Sequence, residues 1–155
     1  MGIWGGDEKY FFSNTHFDTT RANIEFSGAK AIDLPVQEAK NFSSDYPFKG
    51  NIDVEKLSKW INDVGAENVA AVILTVTNNS GGGQPVSMAN AIATSKLCKS
   101  HNIVFVLDAC RIAENSFFVQ KNEVEYKNHS YFSIAQEMCT LADACIMSAK
   151  KRCTR

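Results

Sequence analysis

Apolar runs alternate with amphipathic segments along much of the chain. Residues 69–77 read VAAVILTVT, a continuous apolar run rich in β-branched side chains that is typical of a strand buried on both faces. Shorter runs at residues 103–107 and 144–147 predict two more buried strands. Residues 24–34 alternate between apolar and polar positions and end before Pro35, so we expect a strand there as well.

The segments around these strands place apolar residues at helical spacing. Residues 54–64 show it most clearly, with Asp53 predicted as the N-cap and Gly65 as the C-terminal stop. Residues 87–100 and 130–141 are further helix candidates. Helices that alternate with buried strands predict an α/β protein with a mainly parallel sheet flanked by helices.

Composition narrows the class of protein. The chain has 155 residues, of which 45% are hydrophobic and 21% charged, which is typical of one soluble globular domain. A net charge of -1 argues against nucleic acid as a partner. The longest apolar run is far shorter than the roughly 18 to 20 residues that span a bilayer. The first ten residues lack the pattern of a signal peptide. We therefore expect a cytoplasmic protein with neither a membrane nor a nucleic-acid partner.

The cysteines and histidines are scattered. No C-x-x-C pair occurs, and the odd count of cysteines suits a reducing compartment better than a disulfide framework. The histidines are too far apart in sequence to suggest a metal cluster, so we predict no metal site formed by them. The residues concerned are Cys98, Cys110, Cys139, Cys145, Cys153, His16, His101 and His129.

In a parallel sheet, ligands bind at the carboxyl ends of the strands, so the residues that follow each strand matter most. Residues 77–85 form a glycine-rich segment, TNNSGGGQP, whose glycines allow a backbone to approach a ligand closely. The segment lacks the glycine spacing of the common phosphate loops, and a plain tight turn is an equal alternative. Asp108 ends the next strand, where a carboxylate needs either a ligand or an ion pair, for instance with Arg111.

The third strand is followed by Ser148 and a lysine pair, Lys150 and Lys151. Lysine pairs are usually solvated, yet a lysine at a strand end can also act as a nucleophilic amine. An acid, an arginine and a lysine at successive strand ends suit pyridoxal phosphate. The lysine would bind its aldehyde, and the acid would keep its pyridine nitrogen protonated.

Several segments together carry a resemblance to a known family. They resemble the tryptophanase and tyrosine phenol-lyase family, whose members are pyridoxal-phosphate-dependent β-eliminating lyases. The resemblance implies part of the large domain of the aspartate-aminotransferase-like fold, also called fold type I. The matching segments are SNTHFDTTR at 13–21, FKGNID at 48–53, TNNSGGGQPVS at 77–87, DACR at 108–111, AEN at 113–115 and MSAKK at 147–151.

The resemblance implies catalytic roles for residues at the strand ends. Lys151 matches the lysine that binds the cofactor covalently, and Asp108 matches the partner of the pyridine nitrogen. Arg111 and Asn79 match the groups beside the cofactor's phenolic oxygen.

The resemblance also implies the remaining contacts of the cofactor and one on the substrate side. Phe17 matches the aromatic ring that stacks on the pyridine, and Ser148 and Lys150 match phosphate contacts. Asp18 lies on the substrate side and is similar to tryptophanases, whereas the phenol-lyases tend to have threonine there. His16 stands where the family usually has an aromatic residue.

Family chains are far longer than this one. Residues 1–12 therefore read as a divergent N-terminal segment and residues 13–155 as a partial cofactor-binding domain, with the small domain absent. Most of the family's K⁺ site and its carboxylate-binding arginine would lie outside this chain. We expect the 155-residue chain alone to be inactive.

The leading functional hypothesis is a lyase that converts tryptophan to indole, pyruvate and ammonia. The resemblance implies an amino-acid substrate and a homotetramer. The alternatives are an inactive fragment or interaction module derived from such a lyase, a tyrosine phenol-lyase, or another fold type I enzyme. A nucleotide-binding flavodoxin-like domain is disfavoured, because the glycine loop has the wrong spacing for it.

Overall fold

The described strands form one parallel sheet. The computed structural model describes residues 5–41 and 43–148. Within them the strand order is β2-β1-β3-β4-β5, and each neighbouring pair is parallel. The runs predicted near residues 69, 103 and 144 are neighbouring strands of this sheet, which confirms the predicted α/β class. The strands are β1 (Tyr10–Ser13), β2 (Lys30–Asp33), β3 (Val69–Thr75), β4 (Phe105–Asp108) and β5 (Ala144–Ile146).

Helices connect the strands. They are α1 (Asp18–Phe26), α2 (Val54–Val64), α3 (Met88–Ser100), α4 (Ile112–Asn122) and α5 (Tyr131–Thr140). Short 3₁₀ segments occupy Gln37–Lys40, Ala66–Asn68 and Val124–Tyr126. Across the residues that the structure describes, none of these helices has the length and apolar character needed to cross a bilayer.

The two faces of the sheet bury different amounts of apolar surface. Helices α2 to α5 pack on one face, where Phe12, Val72 and Leu107 join the larger core cluster. The other face carries a smaller cluster, to which α1 contributes Ile24 beside Phe11. Since burying one such side chain is worth about 1.5 to 3 kcal/mol, the first face contributes the larger share of the stabilising apolar burial.

Helix α2 forms as its sequence predicts. The Asp53 carboxylate accepts a hydrogen bond of 3.0 Å from the backbone N–H of Lys56, which confirms the N-cap. Leu57 and Ile61 are buried one turn apart, and Gly65 ends the helix with a φ of 84°. The predicted bounds of this helix are therefore confirmed.

The prediction of one strand over residues 24–34 was wrong. Helix α1 continues to Phe26, a turn through Gly28 follows with φ at 84°, and only Lys30–Asp33 is a strand. Ile24 is fully buried but Phe26 is 94% exposed, so these positions do not share one face of a strand. The apparent alternation joined the end of a helix to the start of a strand.

Other boundaries differ from the sequence prediction by one or two residues. Strand β3 ends at Thr75 instead of residue 77, and β4 starts at Phe105 and includes Asp108. The sequence analysis did not predict β1, α1 or α4. Strand β1 is only four residues long, which is too short for a clear periodic signal. The predicted division between residues 12 and 13 falls inside β1, and it stays a prediction.

Candidate functional site

The candidate site lies at the switch point of the sheet. The chain passes from β1 to β2 on one side and later adds β3 on the other side of β1. At such a point the connections diverge and leave a crevice outside the carboxyl ends of the strands, where ligands of α/β proteins bind.

Asn14 fixes the geometry of this edge. It follows β1 directly, is fully buried, and its Nδ2 donates to the carbonyl oxygens of Gly50 at 2.7 Å and Thr75 at 2.9 Å. Its Oδ1 accepts from the backbone N–H of Thr75 at 3.0 Å. One side chain therefore joins the ends of β1 and β3 to the loop that carries Gly50.

A cavity of about 320 Å³ opens at the same edge. Residues that end or follow β1, β3, β4 and β5 line it, because parallel strands finish on one side of the sheet. The strand register places Thr75 beside Asp108 and Asp108 beside Ile146. The lining residues are Phe17, Thr19, Thr75, Asn79, Asp108, Cys110, Ile146, Met147 and Ser148.

The structure brings together several of the residues singled out in the sequence. Phe17, Asn79, Asp108 and Ser148 line one cavity although they come from distant parts of the chain. Phe17 keeps 36% of its surface exposed, so part of its ring is open to a neighbour. The placement fits the predicted cofactor contacts, and the individual roles remain predictions.

Asp108 is the last residue of β4 and is half-buried. Its Oδ1 accepts a hydrogen bond of 3.3 Å from the backbone N–H of Cys110, which holds the chain in a turn directly after the strand. This turn leads into α4, and Asp108 lines the cavity beside it.

Arg111 lies against the glycine-rich loop. Its backbone N–H donates to the carbonyl oxygen of Val76 at 2.9 Å. A Cβ added at Gly83, whose φ is 74°, would lie 3.5 Å from the Arg111 guanidinium. The loop is closed by hydrogen bonds of 2.8 Å from the N–H of Asn78 to Gln84 and from the N–H of Gly83 to Asn78. The loop is thus a tight turn, as one alternative predicted, and the positive φ of Gly83 favours glycine at that position.

Asp18 is the first residue of α1 and is exposed. A carboxylate in the first turn is favoured by the positive end of the helix dipole. Its neighbours Phe17 and Thr19 both line the cavity, so Asp18 lies next to the lining residues. Lys150 and Lys151, which carry the predicted phosphate and covalent contacts, lie outside the described residues.

Sequence reasoning missed a polar cluster formed by His16, Asp33 and Arg21. His16 directly precedes Phe17, which lines the cavity. The side chain of His16 is fully buried, and its Nδ1 lies 2.6 Å from Asp33 Oδ1. The other carboxylate oxygen of Asp33 accepts from Arg21 at 2.7 Å. Burial alone would raise the pKa of Asp33, but hydrogen bonds from the side chain and backbone of His16, together with the charge of Arg21, hold that pKa below its usual value.

Other lining residues were also missed. Thr19 and Thr75 add hydroxyl groups, and Cys110 adds a thiol next to Asp108. Ile146 and Met147 form an apolar wall and are about half exposed. Thr75 could have been found as the residue that ends the longest apolar strand. It was missed because the sequence analysis extended that strand to residue 77 and so placed Thr75 inside it.

The chain is similar to known lyases over almost its whole length. The sequence model of the beta-eliminating lyase family matches residues 5–154. The tryptophanase of Salinibacter ruber is 48% identical over 151 residues, which cover 97% of this chain and 32% of that protein. The tyrosine phenol-lyase of Pasteurella multocida is 46% identical over 144 residues, or 93% of this chain and 31% of that protein. The chain thus spans about a third of the length of these curated relatives.

Solved structures share the fold. A protein of Exiguobacterium sp. 255-15, assigned as an aromatic amino acid beta-eliminating lyase/threonine aldolase, matches 92% of this chain with a TM-score of 0.55 and 14% identity. Bna3p of Saccharomyces cerevisiae, assigned as a kynurenine aminotransferase, also matches 92%, with a TM-score of 0.51 and 19% identity. These likenesses bear on the fold alone, and they confirm the fold type I architecture that the resemblance implied.

Proposed function

Because the chain belongs to the beta-eliminating lyase family, we propose that it forms part of the pyridoxal-phosphate-binding domain of a lyase that acts on tryptophan. One observation carries the proposal. Phe17, Asn79, Asp108 and Ser148, which the resemblance assigns to the cofactor, line one cavity at the switch point of the sheet.

The donor set of the cavity fits this cofactor. A planar aromatic ring needs an apolar face, which the partly exposed Phe17 offers. A pyridinium nitrogen needs an anion, which Asp108 offers, and a phosphate needs hydrogen-bond donors, of which the Ser148 hydroxyl is one. A cavity of about 320 Å³ lies in the range of small-molecule sites.

When bound, pyridoxal phosphate supplies an electron-accepting ring that stabilises negative charge at the substrate Cα. The protein groups have separate tasks. Asp108 would hold a proton on the pyridine nitrogen, and Asn79 and Arg111 would donate hydrogen bonds to the phenolic oxygen. Lys151 would hold the cofactor through its aldehyde carbon, and Lys150 and Ser148 would bind phosphate. Phe17 would orient the ring.

The choice of tryptophan rests on Asp18. An indole ring has one polar group, an N–H that only donates. The carboxylate of Asp18, next to the lining residues, would accept a hydrogen bond from it. Elimination would then release indole, pyruvate and ammonia. The similarity to curated tryptophanases supports this choice, and the similarity to a tyrosine phenol-lyase keeps phenol release as the outcome to test against it.

The remaining family properties belong to the proposal as well. They are a K⁺ site that lies mostly outside this chain and a homotetramer. Because the chain spans about a third of its curated relatives, we propose that residues 1–155 alone release no pyruvate from tryptophan. The decisive test therefore places the chain in a full-length lyase.

A chimera provides this test. The 151 matched residues of the Salinibacter ruber tryptophanase are replaced by those of this chain, and indole and phenol release are both measured. We expect indole release from tryptophan, and Asp108→Asn should lower it by about 100-fold or more, as removal of one well-placed electrostatic partner does. Asp63→Asn, an exposed change on α2, serves as the matched control. Full activity of the Asp108→Asn chimera, or faster release of phenol than indole, would contradict the proposal.

A further inference from the structure

The fold brings together two cysteines that are separate in the sequence. Cys139 lies in the last turn of α5 and Cys145 in the middle of β5. The thiol of Cys145 lies 3.9 Å from the backbone carbonyl oxygen of Cys139. Three residues connect the two elements, so the chain turns back on itself here.

The strand register explains why the two side chains meet. Cys145 pairs with Leu107, whose side chain lies in the larger core cluster beneath α2 to α5. Neighbouring strands place paired residues on the same face of a sheet, so Cys145 points towards α5. Cys139 packs against the same cluster from the helix side. Both thiols therefore lie between α5 and β5.

The environment of Cys139 reflects this proximity. Burial and the neighbouring Cys145 thiol, which forms a hydrogen bond with it, together raise the pKa of Cys139 to about 11. Cys145 is exposed, whereas Cys139 is half-buried. The pair thus consists of one accessible thiol and one shielded thiol.

We propose that Cys139 and Cys145 form a reversible disulfide and that this pair is a thiol-modification site separate from the cofactor contacts. The oxidant is a small disulfide such as oxidised glutathione. The Cys145 thiolate attacks one of its sulfurs, forms a mixed disulfide and releases one glutathione thiolate, which takes up the proton that Cys145 lost. Cys139 then gives up its proton, attacks the Cys145 sulfur and releases the second glutathione as a thiol. Two protein thiols are oxidised and one glutathione disulfide is reduced to two thiols.

The order of attack follows from exposure. An accessible thiol meets the oxidant first, and the shielded thiol completes the bond because its partner is already beside it. Since burial keeps the Cys139 thiolate scarce at neutral pH, the closing step should accelerate as the pH rises from 7 to 9. The finished bond would fasten the end of α5 to β5, one residue before Ile146 in the wall of the cavity.

Thiol trapping and peptide mapping test the proposal on the full chain. The folded protein is incubated with oxidised glutathione at pH 8, blocked with iodoacetamide, digested and analysed by mass spectrometry. We expect a linked peptide pair containing Cys139 and Cys145 and its disappearance after dithiothreitol. A wild-type protein that carries glutathione on Cys145 without forming the linked pair would overturn the proposal.

Matched variants separate the two steps. Cys139→Ser should retain glutathione on Cys145, and Cys145→Ser should leave Cys139 unmodified. Cys98→Ser, which removes a buried thiol whose pKa is raised to about 12 by burial and by Asp143, should leave the linked pair intact. Loss of the pair in Cys98→Ser with an unchanged circular dichroism spectrum would count against the assignment. The linked peptide pair can also be measured by mass spectrometry in the chimera with the Salinibacter ruber tryptophanase. This measurement needs no cofactor, so its result is independent of the proposed activity.

Discussion

Nδ1 of His16 lies 2.6 Å from Oδ1 of Asp33, so a histidine that follows β1 is held by a carboxylate at the end of β2. The same carboxylate oxygen accepts the backbone N–H of His16 at 2.9 Å. Because His16 precedes Phe17 and Asp18 directly, this contact fixes the direction in which the chain enters the cavity. Phe17, which lines the cavity, and its neighbour Asp18 thus depend on the contact between His16 and Asp33.

The Asp33 carboxylate should contribute to stability at neutral pH. Asp33→Asn places an amide where Arg21 needs an acceptor and should lower the free energy of unfolding by about 1 to 3 kcal/mol. The pKa of Asp33 is lowered in the folded state, so its contribution is present above the ordinary value of 3.8 and is lost as the pH falls through the lowered value. Urea unfolding at pH 7 and pH 3 measures the effect. A difference between wild type and variant that is equal at both pH values would contradict it.

Asn14 should tolerate neither removal nor an added charge. Asn14→Ala leaves the carbonyl oxygens of Gly50 and Thr75 without their donor, which should cost about 2 to 4 kcal/mol. Asn14→Asp should cost more, since a buried carboxylate cannot donate to them and carries a charge. Asn128→Asp at an exposed turn is the matched control, with an expected change within about 0.5 kcal/mol. Equal stability of Asn14→Asp and the control would show that the bridge is unimportant.

Gly50 is required for space and Gly82 for its backbone conformation. A Cβ at Gly50 would overlap the carbonyl oxygen of Gln84 and lie 2.7 Å from that of Pro85, both rigid backbone atoms. Gly50→Ala should therefore cost about 3 kcal/mol or more. Gly82→Ala has open space but a φ of 84°, so about 1 to 2 kcal/mol is expected. Thermal unfolding of both variants compares them, and a smaller loss at Gly50 than at Gly82 would be incompatible with this packing.

Glu123 caps α3 from a distance. Its Oε1 accepts the backbone N–H of Met88 at 2.6 Å, while burial raises the pKa of the carboxyl despite that hydrogen bond. A raised pKa means that the stabilising contribution is present below the ordinary value of 4.5 and is lost as the pH rises through the folded value. Glu123→Gln keeps the acceptor without the charge and should be neutral or slightly stabilising at pH 7.

Glu123→Ala provides the contrast, because it removes the cap and should cost about 0.5 to 2 kcal/mol. Unfolding midpoints of the two variants between pH 4 and pH 8 give the comparison. If Gln were as destabilising as Ala at pH 7, the charge and not the acceptor would be the stabilising element.

Local signals explain which parts of the fold were predictable. Helix α2 has an N-cap, an apolar stripe and a terminal glycine, and each signal depends on residues within a few positions. Strand β3 is apolar on both faces, so its run needs no knowledge of its neighbours. Residues 24–34 contain the end of helix α1 and the whole of strand β2. Only the packing of Ile24 against the sheet distinguishes the helical part from the strand.

The residues of the site likewise fall into those that the sequence could predict and those that it could not. Asp108, Asn79 and Ser148 could be expected together, because parallel strands end on one side and each residue follows or ends a strand. The contact between His16 and Asp33 depends on β1 and β2 being neighbours in register, and β1 itself carried no clear signal. The Cys139 and Cys145 pair depends likewise on the turn between α5 and β5, which the spacing of the cysteines does not reveal.

The position of β1 between β2 and β3 has a consequence for the timing of folding during synthesis. Phe12 pairs with Ile32 of β2 on one side and with Val72 of β3 on the other. Strand β1 can therefore pair with β3 only after much more of the chain has been synthesised than pairing with β2 requires. Asn14 likewise finds Thr75 only after that delay. Because synthesis runs from the N-terminus and the cavity also requires Ser148, the crevice is completed only after β5 has been made, although Phe17, in its first wall, is translated long before.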